Sequence, residues 1–277
     1  MMPMNNTCFN TSTIRNCGLS VPEEIELVAK AGFGGIELWV SEIETYIEAG
    51  GTLAELRNML EQNQLKVPNL IAFFEWAHPS AEKRATAYDE ATHIFEMAQA
   101  LNCPYVAAPP FGVADRTDIP LRDIATYYQA LLRATEASPV MPLLEFWGHS
   151  TTLGSFKEAL AVVRMLDNPD VILLADVFHM AKAGDDPAQL EQLTGKQLGL
   201  FHLNDYPDAP DVSKLTDAER VYPGDGIADL SLIFAILNRI EYQGMLSLEL
   251  FNERYEQAGA KQVVETGMAK MKAVLAS

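Results

Sequence analysis

Four residues in the second half of the chain are of types that hold a divalent cation: Glu145, Asp176, His202 and Glu249. Each ends a short apolar run, in Leu143-Leu144-Glu145, Val171 through Ala175 to Asp176, Phe201-His202 and Ser247-Leu248-Glu249. Runs of this kind read as strands buried on both faces, as in a parallel sheet covered by helices. A charge at the mouth of such a strand is costly to desolvate without a partner, and crowded carboxylates raise one another's pKa. A divalent cation removes both costs. Three carboxylates and one imidazole suit Mn²⁺, Co²⁺, Mg²⁺ or Zn²⁺ and do not choose among them. The competing reading is a metal-free ion network in which Asp176 and Glu145 pair with Arg220 or Lys182.

Other groups lie close to these in sequence. His179, three residues after Asp176, is placed to hydrogen-bond a substrate or support the site, or to serve structure alone. His149, in Gly148-His149-Ser150, reads as a loop contact to substrate or a surface histidine. The connection 205–229 is long for a βα loop, and long loops of that kind tend to be lids or binding loops. Arg220 within it has the planar fork that clamps a substrate oxygen or a site carboxylate. His93 sits inside a helical pattern and His78 precedes a proline; neither carries a comparable signal.

The elements that would bring these residues together follow from the rhythm of the chain. Apolar runs near 7–12, 35–40, 66–74, 105–110, 142–147, 171–178, 198–204 and 245–251 read as strands. Helical patterns lie between them, one opened by Pro22-Glu23-Glu24 and others at 52–64, 81–101, 121–137, 155–166, 230–239 and 260–276, with a weaker one at 188–193. Strands alternating with helices predict a parallel sheet. Eight such units in 277 residues fit an α/β fold of the (β/α)8 TIM-barrel type, one domain over 1–277. A doubly wound sheet would call for a dinucleotide fingerprint, and Gly32-Phe33-Gly34-Gly35 precedes a strand instead of following one. It reads as a helix C-terminal turn. In such barrels the site forms at the C-terminal strand ends, so Glu37, Glu75, Glu145, Asp176 with His179, His202 with Asn204 and Asp205, and Glu249 are expected around one mouth.

The formal net charge is −18, repulsive to phosphate backbones and anionic membranes, so no nucleic-acid or membrane partner is expected. Three cysteines, Cys8, Cys17 and Cys103, lack metal-type spacing and suggest a reducing compartment. Met1 to Asn5 has no leader-like pattern, and no apolar run approaches the ~20 residues of a membrane-spanning helix. The expected location is cytoplasmic.

Several stretches carry a resemblance: Cys8-Phe9-Asn10, Leu144-Glu145-Phe146 with Gly148-His149, Asp176-Val177-Phe178-His179, Phe201-His202-Leu203-Asn204-Asp205, residues 215–226, and Leu248-Glu249-Leu250-Phe251. Through them the chain resembles the xylose-isomerase-like sugar isomerase/epimerase barrels, most of all the inosose isomerase branch of inositol catabolism. The resemblance implies one divalent metal ion held by Glu145, Asp176, His202 and Glu249. It implies substrate contacts from His179 and Arg220, a keto-sugar or inosose as substrate, and a possible homo-oligomer. The chemistry expected is proton transfer beside a carbonyl, with Glu145 and Glu249 as acid and base. At one position the chain departs from the pattern. Where that branch has an arginine shortly after the second strand's glutamate, this chain has Trp39 in Glu37-Leu38-Trp39, a side chain suited to packing on the C–H face of a sugar. Alternatives are a dehydratase using the same enediolate, a non-catalytic sugar-binding barrel, and a phosphodiesterase on this fold. The last would want a histidine-rich, multi-metal mouth and a basic surface; five histidines and a charge of −18 argue against it.

Overall fold

The computed structural model describes residues 6–276; the reading of Met1 to Asn5 falls outside them. Strands β1 (Thr7–Asn10), β2 (Gly35–Trp39), β3 (Leu70–Ile71), β4 (Tyr105–Ala108), β5 (Met141–Glu145), β6 (Ile172–Asp176), β7 (Leu198–Leu203) and β8 (Met245–Leu248) pair in parallel and in sequence order into a closed barrel. Helices α1 (Val21–Ala31), α2 (Val40–Glu48), α3 (Leu53–Gln62), α4 (Ala81–Ala100), α5 (Leu121–Ala134), α6 (Phe156–Leu166), α7 (Val177–Ala183), α8 (Leu230–Arg239), α9 (Glu253–Glu256) and α10 (Ala260–Ala276) make up the outer layer. The expected TIM barrel is the observed architecture.

Alternation along the strands builds the mouth. Side chains of a strand point to opposite faces with a period of two, so every second residue enters the barrel. Cys8, Leu143, Leu174, Leu200 and Met245 pack there as an apolar plug. Gly35 leaves room for this layer, since a Cβ at that position would meet the Met245 sulfur at 2.7 Å. One period further along the same strands come Asn10, Glu145, Asp176 and His202, and two periods beyond Met245 comes Glu249. Polar groups therefore lie directly above the plug, and the helices cover the outer faces of the strands with the main apolar core.

Some boundaries differ from those expected. The sixth strand stops at Asp176, because the Asp176 side chain accepts from the His179 N–H at 2.8 Å and so caps α7. Phe178, expected in the strand, is helical. Of 66–74 only Leu70–Ile71 is strand; Pro68 cannot donate to a ladder. The 188–193 segment is a 3-10 turn, Pro187–Gln192. Helix α1 starts where Glu23 accepts from the Ser20 N–H at 2.8 Å and from its hydroxyl, and it ends at Gly32 with φ 92°, as the glycine cluster suggested. Helix α2 follows β2 with no intervening loop and had no sequence signal of its own.

One buried group in this frame works against stability. Glu24 is 3% exposed and its Oε2 has no hydrogen-bond partner. Burial, then Glu42 and Glu23, push its carboxyl from 4.5 to about 9. A raised folded pKa favours the protonated form, so this contribution is complete below about 4.5 and is lost as pH rises toward 9. Glu24→Gln is expected to stabilise the protein by about 1–3 kcal/mol at pH 8 and by little at pH 4. Urea unfolding at the two pH values checks this, and an equal change at both would contradict it.

Candidate active site

Each of three residues at the mouth has one atom pinned and another facing its neighbours. Asp176 spends Oδ1 on capping α7, leaving Oδ2 to accept from Asn204 Nδ2 at 2.9 Å. Glu249 accepts from Asn10 Nδ2 with Oε1 at 2.9 Å, which leaves Oε2. His202 places Nε2 3.1 Å from the Glu37 carboxylate and turns Nδ1 toward Glu249 Oε2 (3.1 Å) and Asp176 Oδ2 (3.6 Å). One ligand-type atom from each of Asp176, His202 and Glu249 lies within 4.8 Å of the others, and all three residues are buried.

The donor set fits a divalent cation on one further observation. His202 Nδ1 is buried and makes no aligned hydrogen bond although two carboxylates face it. Burial disfavours charge on this ring, yet Glu249 and Glu37 hold its pKa well above the ordinary value. The position facing Nδ1 therefore favours positive charge, whether a proton or a metal ion supplies it. Glu145 ends β5 in the same mouth and accepts from Trp147 Nε1 at 3.1 Å. Its carboxyl is pushed up to about 8, first by burial; His202 opposes this, while Glu249 and Asp176 add to it.

Above these groups opens a cavity of about 220 Å³, lined by Trp39, Ile71, Ala72, Phe73, Glu145, Trp147, His149, His179, Asp217, Arg220, Glu249 and Phe251. Two larger hollows, of about 1270 and 910 Å³, contain none of these residues, so size does not locate the site. One wall is a continuous aromatic arc, with ring centroids 5.1 Å apart for Trp39–Phe73, 6.1 Å for Phe73–Trp147 and 5.4 Å for Trp147–His149. Gly148 allows the arc to form, because a Cβ there would lie 2.3 Å from the His179 carbonyl oxygen. Arg15 lies over the Trp39 ring at 3.7 Å, so a cation flanks this wall although an aromatic stands at the position itself.

His179 is a neutral donor. Its Nε2 lies 3.1 Å from Arg220 Nη2, and a guanidinium can only donate, so Nε2 accepts and the proton is on Nδ1. Burial first, and Arg220 as well, lower its pKa to about 4. That Nδ1 is buried without a partner. His149 is the exposed member of the set, with Nδ1 4.0 Å from Asp217.

Arg220 is 1% exposed. Its Nη1 donates to Asp176 Oδ2 at 2.9 Å and to Glu249 Oε2 at 2.6 Å, and Nε donates to Asp217 at 3.0 Å. Of the two partners the ion-network reading offered, Arg220 does pair with Asp176. Lys182 instead donates to the Ser213 and Leu215 carbonyls and holds the loop. Asp176 Oδ2 accepts from both Asn204 and Arg220, so a metal at this oxygen would replace one of these donors, while Asp176 Oδ1 keeps a second lone-pair direction beside the His179 N–H. Arg220 also accounts for the contrast between carboxylates: burial pushes Asp176 up too, but Arg220, His202 and the His179 backbone N–H hold it below its ordinary value.

The loop that carries Arg220 hangs from Asp205. Its carboxylate accepts from the N–H groups of Gly224, Gly226, Ala228 and Tyr206 at 2.8–3.0 Å, and its backbone pairs with Val221. Glu75, also expected at the mouth, is paired with Lys83 at 3.1 Å and does not line the cavity. Asn10 and Asn69, which the strand-end reading passed over, hold Glu249 and Glu37; their signal was their inward register. Removing the Asp205 carboxylate with Asp205→Ala is expected to raise amide exchange at Gly224, Gly226 and Ala228 by about 1–3 kcal/mol of lost protection. Hydrogen exchange read residue by residue measures it, and unchanged protection would refute the anchor.

With the geometry in place, comparison with known proteins gives consistent results. The inosose isomerase of Halalkalibacterium halodurans is 29% identical, covering 94% of this chain and 92% of that one. The 3-dehydroshikimate dehydratase of Pseudomonas putida is 24% identical over 91% of this chain, which spans 39% of that protein's length. A crystal structure of the IOLI protein with a binding zinc atom matches at a TM-score of 0.89 and 25% identity, covering 98% of both chains. Among the described residues no helix is long and apolar enough to cross a membrane. Matching from residue 25 to residue 274, the chain belongs to the xylose isomerase-like TIM barrel family.

Proposed function

We propose that this protein is a divalent-metal-dependent isomerase or epimerase acting on a keto-sugar or inosose by proton transfer beside a carbonyl. The observation that carries the reading is the convergence of Asp176, His202 and Glu249 atoms, with Glu249 and the fourth carboxylate, Glu145, opening onto an aromatic-walled cavity. Asp176, His202, Glu249 and Glu145 would hold the ion. When bound there, Mn²⁺, Co²⁺, Zn²⁺ or Mg²⁺ supplies Lewis-acid stabilisation of negative charge developing on a carbonyl oxygen. The inosose isomerase relatives and the zinc in the IOLI structure support this assignment.

The chain's own residues divide the remaining work. Glu145, pushed up to about 8, is matched to taking a carbon-bound proton and returning it near neutral pH. Glu249 follows β8, three strands round the barrel from β5, and serves as its acid–base partner from a different side of the substrate. His179 Nδ1–H is a donor for a substrate oxygen, and His149 reaches the substrate from the rim. The five N–H groups of Arg220 go to Asp176, Glu249, His179 and Asp217, so it reaches substrate only by exchanging one of these partners. Trp39 packs against the C–H face of a ring while the arc excludes water. Proton return to the same carbon from the other face is epimerisation; return to the neighbouring carbon is isomerisation.

Incubated with Mn²⁺ or Co²⁺ and inosose in D₂O, the protein is expected to place deuterium beside the carbonyl, followed by NMR. Glu145→Gln should keep its circular dichroism and lose turnover by about 10²–10⁴-fold; wild-type activity would sink the role. Trp39→Ala should raise KM about five-fold with a smaller effect on kcat, and an unchanged KM would remove Trp39 from the substrate wall. No exchange with inosose or any ketose would favour a non-catalytic sugar-binding barrel. The dehydratase relatives support a second reading, in which the same carbanion expels a β-hydroxyl; a conjugated enone product, read by its ultraviolet absorbance, would identify it.

A further inference from the structure

We propose that Glu37 is a positioning residue that determines which ring nitrogen of His202 faces the metal, within a frame made by Asn10, Asn69 and Ser247. The inference rests on the metal-dependent reading above. Glu37 lies in the middle of β2, fully buried, with its carboxylate against the ring nitrogen of His202 that faces away from Asp176 and Glu249, so it acts on the site through His202.

Both of its oxygens meet donors. Oε1 accepts from Asn69 Nδ2 at 2.8 Å, and Oε2 from the Ser247 hydroxyl and from Asn10 Nδ2 at 3.4 Å. His202 Nε2 lies 3.3 and 3.1 Å from the two oxygens. With the Asn69 and Asn10 amides and the Ser247 hydroxyl all donating to it, the Glu37 carboxylate meets His202 Nε2 as an acceptor, so Nε2 carries a hydrogen and Nδ1 alone can offer a lone pair. A second carboxylate is set by the same frame. The Asn10 Oδ1 accepts from Ser12 N at 3.0 Å and from its hydroxyl at 2.7 Å, which fixes the amide with its NH₂ toward Glu37 and Glu249. Asn10 thereby links the orientation of His202 to that of Glu249, whose Oε1 it holds at 2.9 Å. Residues of β1, β2 and β8, with Asn69 just before β3, thus hold in place ligands on β7 and just past β8. A carboxylate behind a coordinating imidazole fixes its tautomer and strengthens it as a ligand, and removing such a partner typically costs 10–100-fold in metal affinity. Glutamine at position 37 can donate to Nε2 and favour the tautomer that blocks Nδ1.

The test uses the full chain, stripped by chelator and titrated with Zn²⁺ against a chromophoric competitor. Glu37→Gln is expected to bind about 10–100-fold more weakly than wild type. Ser247→Ala and Asn69→Ala, which each remove one donor to Glu37, are expected to lose less affinity while keeping the wild-type melting curve; they decide the matter if Glu37→Gln does not fold. Long-range ¹H–¹⁵N spectra of the zinc-loaded wild type should report Nδ1 as metal-bound and Nε2 as protonated. Affinities within two-fold of wild type across the variants, or zinc on Nε2, overturn the proposal and leave the metal reading standing. Failure of the wild type to take up Zn²⁺, Co²⁺, Mn²⁺ or Mg²⁺ overturns both.

Discussion

The mouth of this barrel depends on how buried negative charge is compensated. Glu37, Glu145, Asp176 and Glu249 are each at most 8% exposed, and the cations among them are Arg220 and, when protonated, His202. Carboxylates so placed stay ionised only where donors and positive charge reach them. Asp176 has the His179 N–H, Asn204 and Arg220; Glu249 has Asn10 and Arg220. Glu145 has Trp147 alone. The least supported carboxylate, Glu145, is the one whose pKa is driven upward, as the proton-transfer role proposed for it requires.

The same distribution explains how the two halves of the barrel differ. Strands five to eight supply the cluster, and strands one to three supply amides and a carboxylate that orient it. An aromatic arc closes one side and a loop hung from Asp205 closes another. Because β8 closes against β1 in the barrel, residues far apart in the chain share hydrogen bonds across the mouth, as Asn10 and Glu249 do.

The barrel and its mouth were legible because the signals are local and repeated. Apolar runs ending in Glu145, Asp176, His202 and Glu249 each state that a buried strand terminates in a charge, and a period of two then fixes which side it faces. Glu75 misled because β3 is only two residues long, so the chain has left the wall before reaching it. Helix α7 was hidden because its first residues are as apolar as the strand before it, and only the carboxylate three residues ahead of His179 marks the change. Asn10 and Asn69 carry no charge pattern; their importance comes from cross-strand neighbours up to 239 positions away in sequence, which no local window contains. Arg220 was legible as a clamp, but which group it clamps depends on a loop path set by Asp205.

Asp176 holds two positions in one molecule. One oxygen completes the first turn of a helix and the other faces the cluster. Any replacement that alters the cluster at this position also disturbs a helix cap worth about 1 kcal/mol, so this carboxylate is tied to folding in a way that Glu145 is not.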